Sequence, residues 1–346
     1  MNSTVLDLFD DPVFAARALV DSINIVPNTY GRINELGLFP IRGVATTYVE
    51  VEYKNGVLNL LRTAERTTRG TAAVRGKREV RIFKVPHIPH LDCIGSEDLQ
   101  NRIPFGATDA LDRVQNAVNE KLEDMASKFH ITLEALRASA LNGVLLDADG
   151  STIVNFFTEF GITEKVVDFD LTNDAANITA KHHEVLRHME DNLHGETMSS
   201  AHALCSPEFF DEYVTHPAVE KAYTYYQSQA EPLKRDVRKG FLHKGILWEE
   251  YRGNANYLAA DGSTINRKFI PAGEARIFPL GTRETFQTYL APPTALSEVN
   301  SAPREDQMVY VTQKRLDHDE GIEFKAQANP LPLVKRPALL VRATLT

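Results

Sequence analysis

Four histidines stand close together in KHHEVLRHMEDNLH: His182, His183, His188 and His194. Two histidines four residues apart on a helix leave from one face and can share a zinc ion, with an adjacent glutamate as general base. Here Glu184 follows His183, but the next histidine, His188, lies five residues beyond His183, so the pair fails that spacing. A solvated helix face is the expectation for the cluster. His87 and His90 in VPHIPH are three apart, and the prolines around them imply an extended chain in which the two rings need not converge. Asp147-Ala148-Asp149-Gly150 has the opening of a calcium loop without its third acidic position or late glutamate, which leaves a turn. Gly76-Lys77 lacks the upstream glycine of a phosphate-binding loop and is followed by Arg78. No GxSxG or GxGxxG stands at a strand-to-helix junction. These residues assign no catalytic, metal or cofactor site.

The charge pattern is more informative. RTAERTTRGTAAVRGKREVR, residues 62–81, holds the basic residues Arg62, Arg66, Arg69, Arg75, Lys77, Arg78 and Arg81 against the acids Glu65 and Glu79. Yet the chain as a whole has a formal net charge of -9. Such a tract could grip a phosphate backbone. The acidic total, the lack of stacking aromatics in the tract and the absence of a DNA-reading motif weigh against that use. A nucleic-acid-binding protein using residues 62–81 remains the alternative reading, and a hydrolase or metalloenzyme built on the histidine cluster is a further one.

The elements around the tract place it. TTYVEVEYK alternates as a strand and is followed by Asn55-Gly56, a pair suited to a tight turn; VRIFKVPHIPH alternates again. The polar middle cannot bury much surface and is expected to project as a long β-loop. Over 107–129, Ala110, Leu111, Val114, Ala117, Val118, Leu122, Met125, Ala126 and Phe129 recur at helical steps. The opposite face bears Asp109, Asp112, Glu120, Glu123 and Asp124. Thr132 could cap a continuation ending at Gly143, giving one very long helix or a bent pair. VLLDADGSTIVNFF reads as a hairpin turned at Asp149-Gly150, a helix is expected over about 174–194 from an Asn173 or Asp174 cap, and another from Ser206-Pro207. Short strands separated by Gly and Pro turns follow from 240. Near the N-terminus a helical pattern (Val13, Ala16, Leu19, Val20) precedes VPNTYGRINELGLFPIRG, which reads as an extended arm or a set of turns. Helices and strands come in blocks, so the class is α+β.

An apolar fraction of 43% with 25% charged residues fits a globular protein. No apolar run approaches the roughly 18 residues of a membrane span. The acidic N-terminus does not resemble a signal peptide. Cys93 and Cys205 are expected to be reduced thiols.

The order of parts resembles the major capsid proteins of tailed phages, the Hong Kong 97 fold, and within them the lambda-type major head protein (capsid protein E) family. The residues that carry the likeness are FIPAGEARIFPLG (269–281) followed by the aromatic strand TFQTYL, EFKAQANPLPLV from Glu323, and the helix ending in ALNGVLL before a turned hairpin. The resemblance implies an N-terminal arm (1–44), an extended β-loop (45–90), a peripheral domain with a spine helix (91–195), an axial domain (196–320) and a terminal strand (321–346) returning to the peripheral domain. It implies a non-enzymatic protein that self-assembles through hexamers and pentamers into an icosahedral shell around double-stranded DNA. Such a protein belongs to the virion capsid, is assembled in the host cytoplasm and has no membrane partner. Scaffolding and portal proteins, with room for a decoration protein, would be further partners, and packaged DNA would meet the inner face without sequence preference. Lys54, Lys77 and Lys84 lie in the loop, but no partner asparagine is singled out, so cross-linking is not expected. Arg62, Arg66, Arg69, Arg75, Lys77 and Arg78 become candidates for contact with a neighbouring copy. Their candidate partners are Asp109, Asp112, Glu120, Glu123 and Asp124, or Asp10 and Asp11 of the arm. A loop whose arginines pair with nothing remains open beside this.

Overall fold

The computed structural model describes residues 14–26, 31–54, 78–95, 97–98, 110–220, 237–259, 261–299 and 301–346. Along the chain come α1 (Ala16–Ile25), α2 (Arg32–Glu35), β1 (Ile41–Gly43), β2 (Tyr48–Lys54), β3 (Arg78–Lys84) and β4 (Ile88–Gly95). Then follow α3 (Ala110–Leu141), β5 (Val144–Leu146), β6 (Thr152–Asn155), α4 (Phe156–Phe160) and β7 (Lys165–Asp168). Next are α5 (Ile178–Asn192), β8 (Ser200–Cys205) and α6 (Pro207–Thr215). The rest is mostly strand: β9 (Phe241–His243), β10 (Ile246–Glu250), β11 (Asn254–Leu258), β12 (Thr264–Lys268), β13 (Glu274–Leu280) and β14 (Phe286–Leu290). β15 (Val309–Arg315), β16 (Gly321–Ala328), β17 (Pro330–Val334) and β18 (Val341–Thr344) close the chain. The residues fall into two compact units. One is drawn from Met1–Val49, Lys84–Glu134 and Thr288–Pro332, the other from Glu50–Phe83, Ala135–Gln287 and Leu333–Thr346.

In the first unit, β15, β16 and β4 form an antiparallel sheet. Its inner face (Ile94, Val309, Val311, Phe324, Ala326) packs on the apolar stripe of α3 (Val114, Val118, Leu122, Met125, Phe129) and on Leu19 and Ile23 of α1. This is the helix stripe read from the sequence, now given its partner. Asn24 of α1 pairs with the edge of β15 as a peptide would. Its Nδ2 donates to Val309 O at 2.7 Å, and its Oδ1 accepts from Val309 N at 3.1 Å.

The long helix is continuous. No Gly or Pro interrupts 110–141, and Thr132 does not cap a second helix: its hydroxyl donates to Lys128 O at 2.7 Å, one turn back. The helix stops at Gly143, which takes φ +81° and donates its N–H to Ala140 O. A Cβ there would sit 2.0 Å from the Phe157 ring. Gly143→Ala is therefore expected to destabilise the fold by about 1–3 kcal/mol, from left-handed strain and overpacking together. Chemical denaturation followed by circular dichroism would measure it.

The second unit is built on a six-stranded mixed sheet in the order β7-β18-β13-β8-β10-β9. Residues alternate across it. Ala201, Ala203, Cys205, Ile246, Trp248, Ala275, Ile277, Val341 and Ala343 join one core with Ile178, Val185 and Met189 of α5 and Phe209, Phe210 and Tyr213 of α6. Ser206 caps α6 as expected, its Oγ accepting from Phe209 N. α5 begins later than expected: Asn177, not Asn173 or Asp174, is the cap, because Asn173 and Asp170 are spent on each other's turn. The terminal segment divides between partners. β16 pairs with β4, while β18 lies between β7 and β13. The expected hairpin over β5 and β6 is present, with Asp149 accepting from Ser151 N at 2.8 Å, so the turn reading of this acidic stretch holds. Of the two readings of the arm segment, extended or a set of turns, residues 31–44 fit the second: they contain the helical turn α2, whose Ile33 is fully buried.

Candidate functional site

A surface that meets another protein is one the fold leaves uncovered and apolar or unpaired. Among the described residues, β2 and β3 pair only with each other, as a two-stranded ribbon, closed at its base by the Val85 N–H donating to Thr47 O at 3.0 Å. The partner of β2 is thus β3. The turn anticipated at Asn55-Gly56, like the loop beyond it, lies outside the described residues. The ribbon's inner face is anchored: Phe83 stacks on Phe160 with ring centroids 5.8 Å apart and meets Phe156 edge-on at 6.3 Å. The Arg81 guanidinium lies 5.9 Å over the Phe160 ring, a cation–π contact. On the outer face Val80 is 54% and Ile82 65% exposed. A ribbon with one face fastened and branched apolar side chains on the other is incomplete by itself.

Arg62, Arg66, Arg69, Arg75, Lys77 and Asp109, with Asp10 and Asp11, lie outside the described residues. Arg78 opens β3, and Asp112 stands in the first turn of α3. Glu120, Glu123 and Asp124 are exposed on α3. Glu123 rims a shallow groove of about 560 Å³ between α1 and α3, whose apolar lining is Ile25, Val26 and Leu122. Lys121 is engaged within the unit, its Nζ 3.1 Å from Asp92 Oδ1. Burial opposes ionisation of Asp92, but the Lys121 ammonium and the Cys93 N–H outweigh it and hold the carboxyl below its ordinary pKa.

The histidine cluster does not form one face. His183 and His194 are exposed and His188 half-buried, donating to Ala338 O at 2.9 Å. His182 is fully buried, contrary to the expectation of a solvated face, because it falls on the apolar stripe Ile178–His182–Val185–Met189 that α5 turns to the sheet. The spacing of that stripe was the signal that could have placed it. His87 and His90 diverge: His87 Nδ1 lies 2.8 Å from Asn329 Oδ1, and the Lys128 ammonium donates to His90 Nε2 at 3.1 Å. Among the described residues no group of three His, Cys, Asp or Glu could hold a metal ion, and no helix is long and apolar enough to cross a membrane. Cys93 is exposed and Cys205 buried, both unbridged.

The motif segments singled out in the sequence prove to be fasteners. In EFKAQANPLPLV, Gln327 Oε1 accepts from Thr294 N at 3.1 Å, and Asn329 Nδ2 donates to Pro292 O at 2.7 Å. In FIPAGEARIFPLG, Phe269 O accepts from Asn142 Nδ2 and Gly273 N donates to the Ser206 cap. Glu196, which no sequence pattern marks, accepts from Glu284 N at 2.7 Å and Thr285 Oγ1 at 2.9 Å and pairs with Arg336 at 3.3 Å.

The chain is similar in fold to a phage-related protein from Bordetella bronchiseptica RB50 (12% identity, 96% of each chain, TM-score 0.51). It is likewise similar to the putative capsid protein of a prophage of Escherichia coli CFT073 (12% identity, 79% of this chain and 80% of that one, TM-score 0.50). In sequence it is 29% identical over 343 residues to the major capsid protein of Pseudomonas phage KPP10, covering 94% of this chain and 95% of that protein. It is 26% identical over 348 residues to the major capsid protein of Salmonella phage Felix O1, covering 93% and 94%. Residues 15–345 match the family described as phage major capsid protein E. The fold is that of tailed-phage major capsid proteins, and the chain belongs to the phage major capsid protein E family.

Proposed function

We propose that this chain is the repeating subunit of a phage head, closing into hexamers and pentamers that join into an icosahedral shell around double-stranded DNA. It acts as a structural subunit of the virion capsid, assembled in the host cytoplasm, and not as a catalyst. Residues 1–44 serve as arm, 45–90 as extended loop, 91–195 and the strand 321–346 as peripheral domain, and 196–320 as the axial domain that meets its copies around the symmetry axes. Scaffolding and portal proteins fit beside it during assembly. The observation that carries the reading is the family match over nearly the whole chain, joined to a ribbon whose outer face bears Val80 and Ile82 uncovered.

The contact has a physical logic. A loop that cannot bury its own surface gains area by lying over a neighbour, and heterologous contacts of this kind propagate into closed shells. Val80 and Ile82 suit the apolar groove of Ile25, Val26 and Leu122 on the next copy. Arg62, Arg66, Arg69, Arg75, Lys77 and Arg78 then face the acids Glu120, Glu123 and Asp124, with Asp109 and Asp112 further along. Guanidinium forks pair bidentately with carboxylates, which sets register. Each exposed pair contributes about 0–1 kcal/mol, so three lost pairs at ~0.5 kcal/mol each weaken one contact roughly tenfold. Replacing Arg66, Arg69 and Arg75 together by alanine is expected to lower the assembled fraction and the salt concentration at which particles dissociate, read by sedimentation. Unchanged assembly and salt tolerance would contradict the loop's role. Steep salt-dependent DNA binding by the unassembled chain would favour phosphate gripping instead.

A further inference from the structure

The core of the second unit contains a continuous polar chain that shell assembly does not explain. His182 Nδ1 lies 2.7 Å from Ile178 O, His182 Nε2 lies 2.8 Å from the Tyr213 hydroxyl, and that hydroxyl lies 2.7 Å from His243 Nδ1. The chain links α5, α6 and β9 through side chains packed on Phe169 and Trp248. His182 is wholly buried, whereas His243 retains 8% exposure.

The distances fix the protons. A carbonyl only accepts, so Nδ1 of His182 bears hydrogen and its Nε2, in the neutral ring, accepts from the Tyr213 O–H. The tyrosine oxygen is then left to accept from Nδ1–H of His243, whose Nε2 is free for solvent protons. A first proton from bulk acid adds at His243 Nε2 and disturbs no heavy atom. A second, on His182 Nε2, points N–H at an oxygen already accepting from His243. The hydroxyl hydrogen loses its acceptor, and two cationic rings stand with centroids 5.1 Å apart.

We propose that His182, Tyr213 and His243 form an acid-sensitive latch that ties α5 and α6 to β9 at neutral pH and opens as the second proton enters. Among the described residues, the charged neighbours offer no counter-ion. Lys244 and His183 act on the pair as like charges. Glu249 of β10 lies on the other side of the sheet with His202, and Asp168 and Asp170 beside Phe169 accept from Asp170 N and Asn173. Cys205 and Tyr213 are held neutral by burial, which pushes both groups well up. Burial lowers His182 from 6.5 to about 4 and moves His243 in the same direction.

Because the folded value is the lower one, the stabilisation is full above pH 6.5, declines as pH falls from 6.5 to about 4, and is gone below that. That interval of 2.5 pH units, from 6.5 to about 4, corresponds to about a 300-fold change in the folding constant. Denaturant unfolding of the full-length unassembled chain at pH 7 and pH 4, where His182 is half protonated in the folded state, should therefore show the wild type losing roughly 100-fold more than His182→Gln. Parallel losses in the two proteins would overturn the latch. Should that variant fail to fold, nitrogen-15 spectra of the wild-type histidines decide. Two buried rings in the Nδ1–H form at pH 7, one still neutral at pH 5, support the latch. Nε2–H forms at His182 or His243, or titration of both rings near pH 6.5, overturn it.

Discussion

Trp248→Ala is expected to cost about 3–5 kcal/mol of folding stability, enough to consume a large part of the total of a domain. Trp248 is fully buried and sits at the centre of an aromatic cluster. Its ring stacks on Tyr213 at 4.3 Å and on Phe209 at 5.9 Å, and meets Phe169 edge-on at 5.5 Å. Removal would open a cavity between the sheet and the helices α5 and α6, and rigid rings on three sides cannot collapse into it. Trp248→Phe should be far milder, below about 1.5 kcal/mol, since it keeps most of the volume and removes a buried indole N–H without an acceptor. Circular dichroism must follow both variants, because Trp248 is the only tryptophan of the chain. A loss under about 1 kcal/mol for the alanine variant would mean that this core is not the unit's main support.

The second large effect is expected at Glu134, two residues before Leu136 on α3. Its carboxylate is 2% exposed and accepts from Ile33 N at 2.9 Å and Asn34 N at 3.2 Å, holding the start of α2. Gly31, at φ +94°, lets the chain pass so closely that a Cβ would stand 2.1 Å from Glu134 Cδ. Glu134→Ala leaves the buried Ile33 N–H and the half-buried Asn34 N–H without their acceptor and a void beneath Ile33. The expected loss is about 3–4 kcal/mol. Glu134→Gln keeps the shape but sets an amide donor against a backbone donor, for a loss of about 1–3 kcal/mol. The local prediction is sharper than the global one: proteolysis within 31–44 should accelerate in both variants, and equal cleavage rates in wild type and Glu134→Ala would show that α2 is held by other means.

Elements set by near neighbours were legible in the sequence. The stripe from Val114 to Phe129, the Ser206-Pro207 start of α6 and the Gly143 stop each depend on residues within a few positions, where periodicity and capping act. Long-range choices were not legible. That β18 inserts between β7 and β13, or that β8 runs parallel to β10, follows from pairings across scores of residues that no local pattern encodes. Glu134 reaches a backbone 101 residues away. His182 was misplaced for a related reason: a helix face is polar or buried according to what packs on it, and histidine is compatible with both. The basic tract was visible by charge alone, but charge names the sign of a partner and not its address.

The most direct measurement is a cryo-electron microscopy map of the particles this chain forms when expressed with its genomic neighbours. The account predicts closed shells of hexamers and pentamers in which residues 62–78 of one copy lie over α3 of the next, with Arg66, Arg69 or Arg75 within pairing distance of Glu120, Glu123 or Asp124. Shells whose loop arginines contact only DNA or solvent, or a chain that yields no particles or capsomers under any combination, would contradict it.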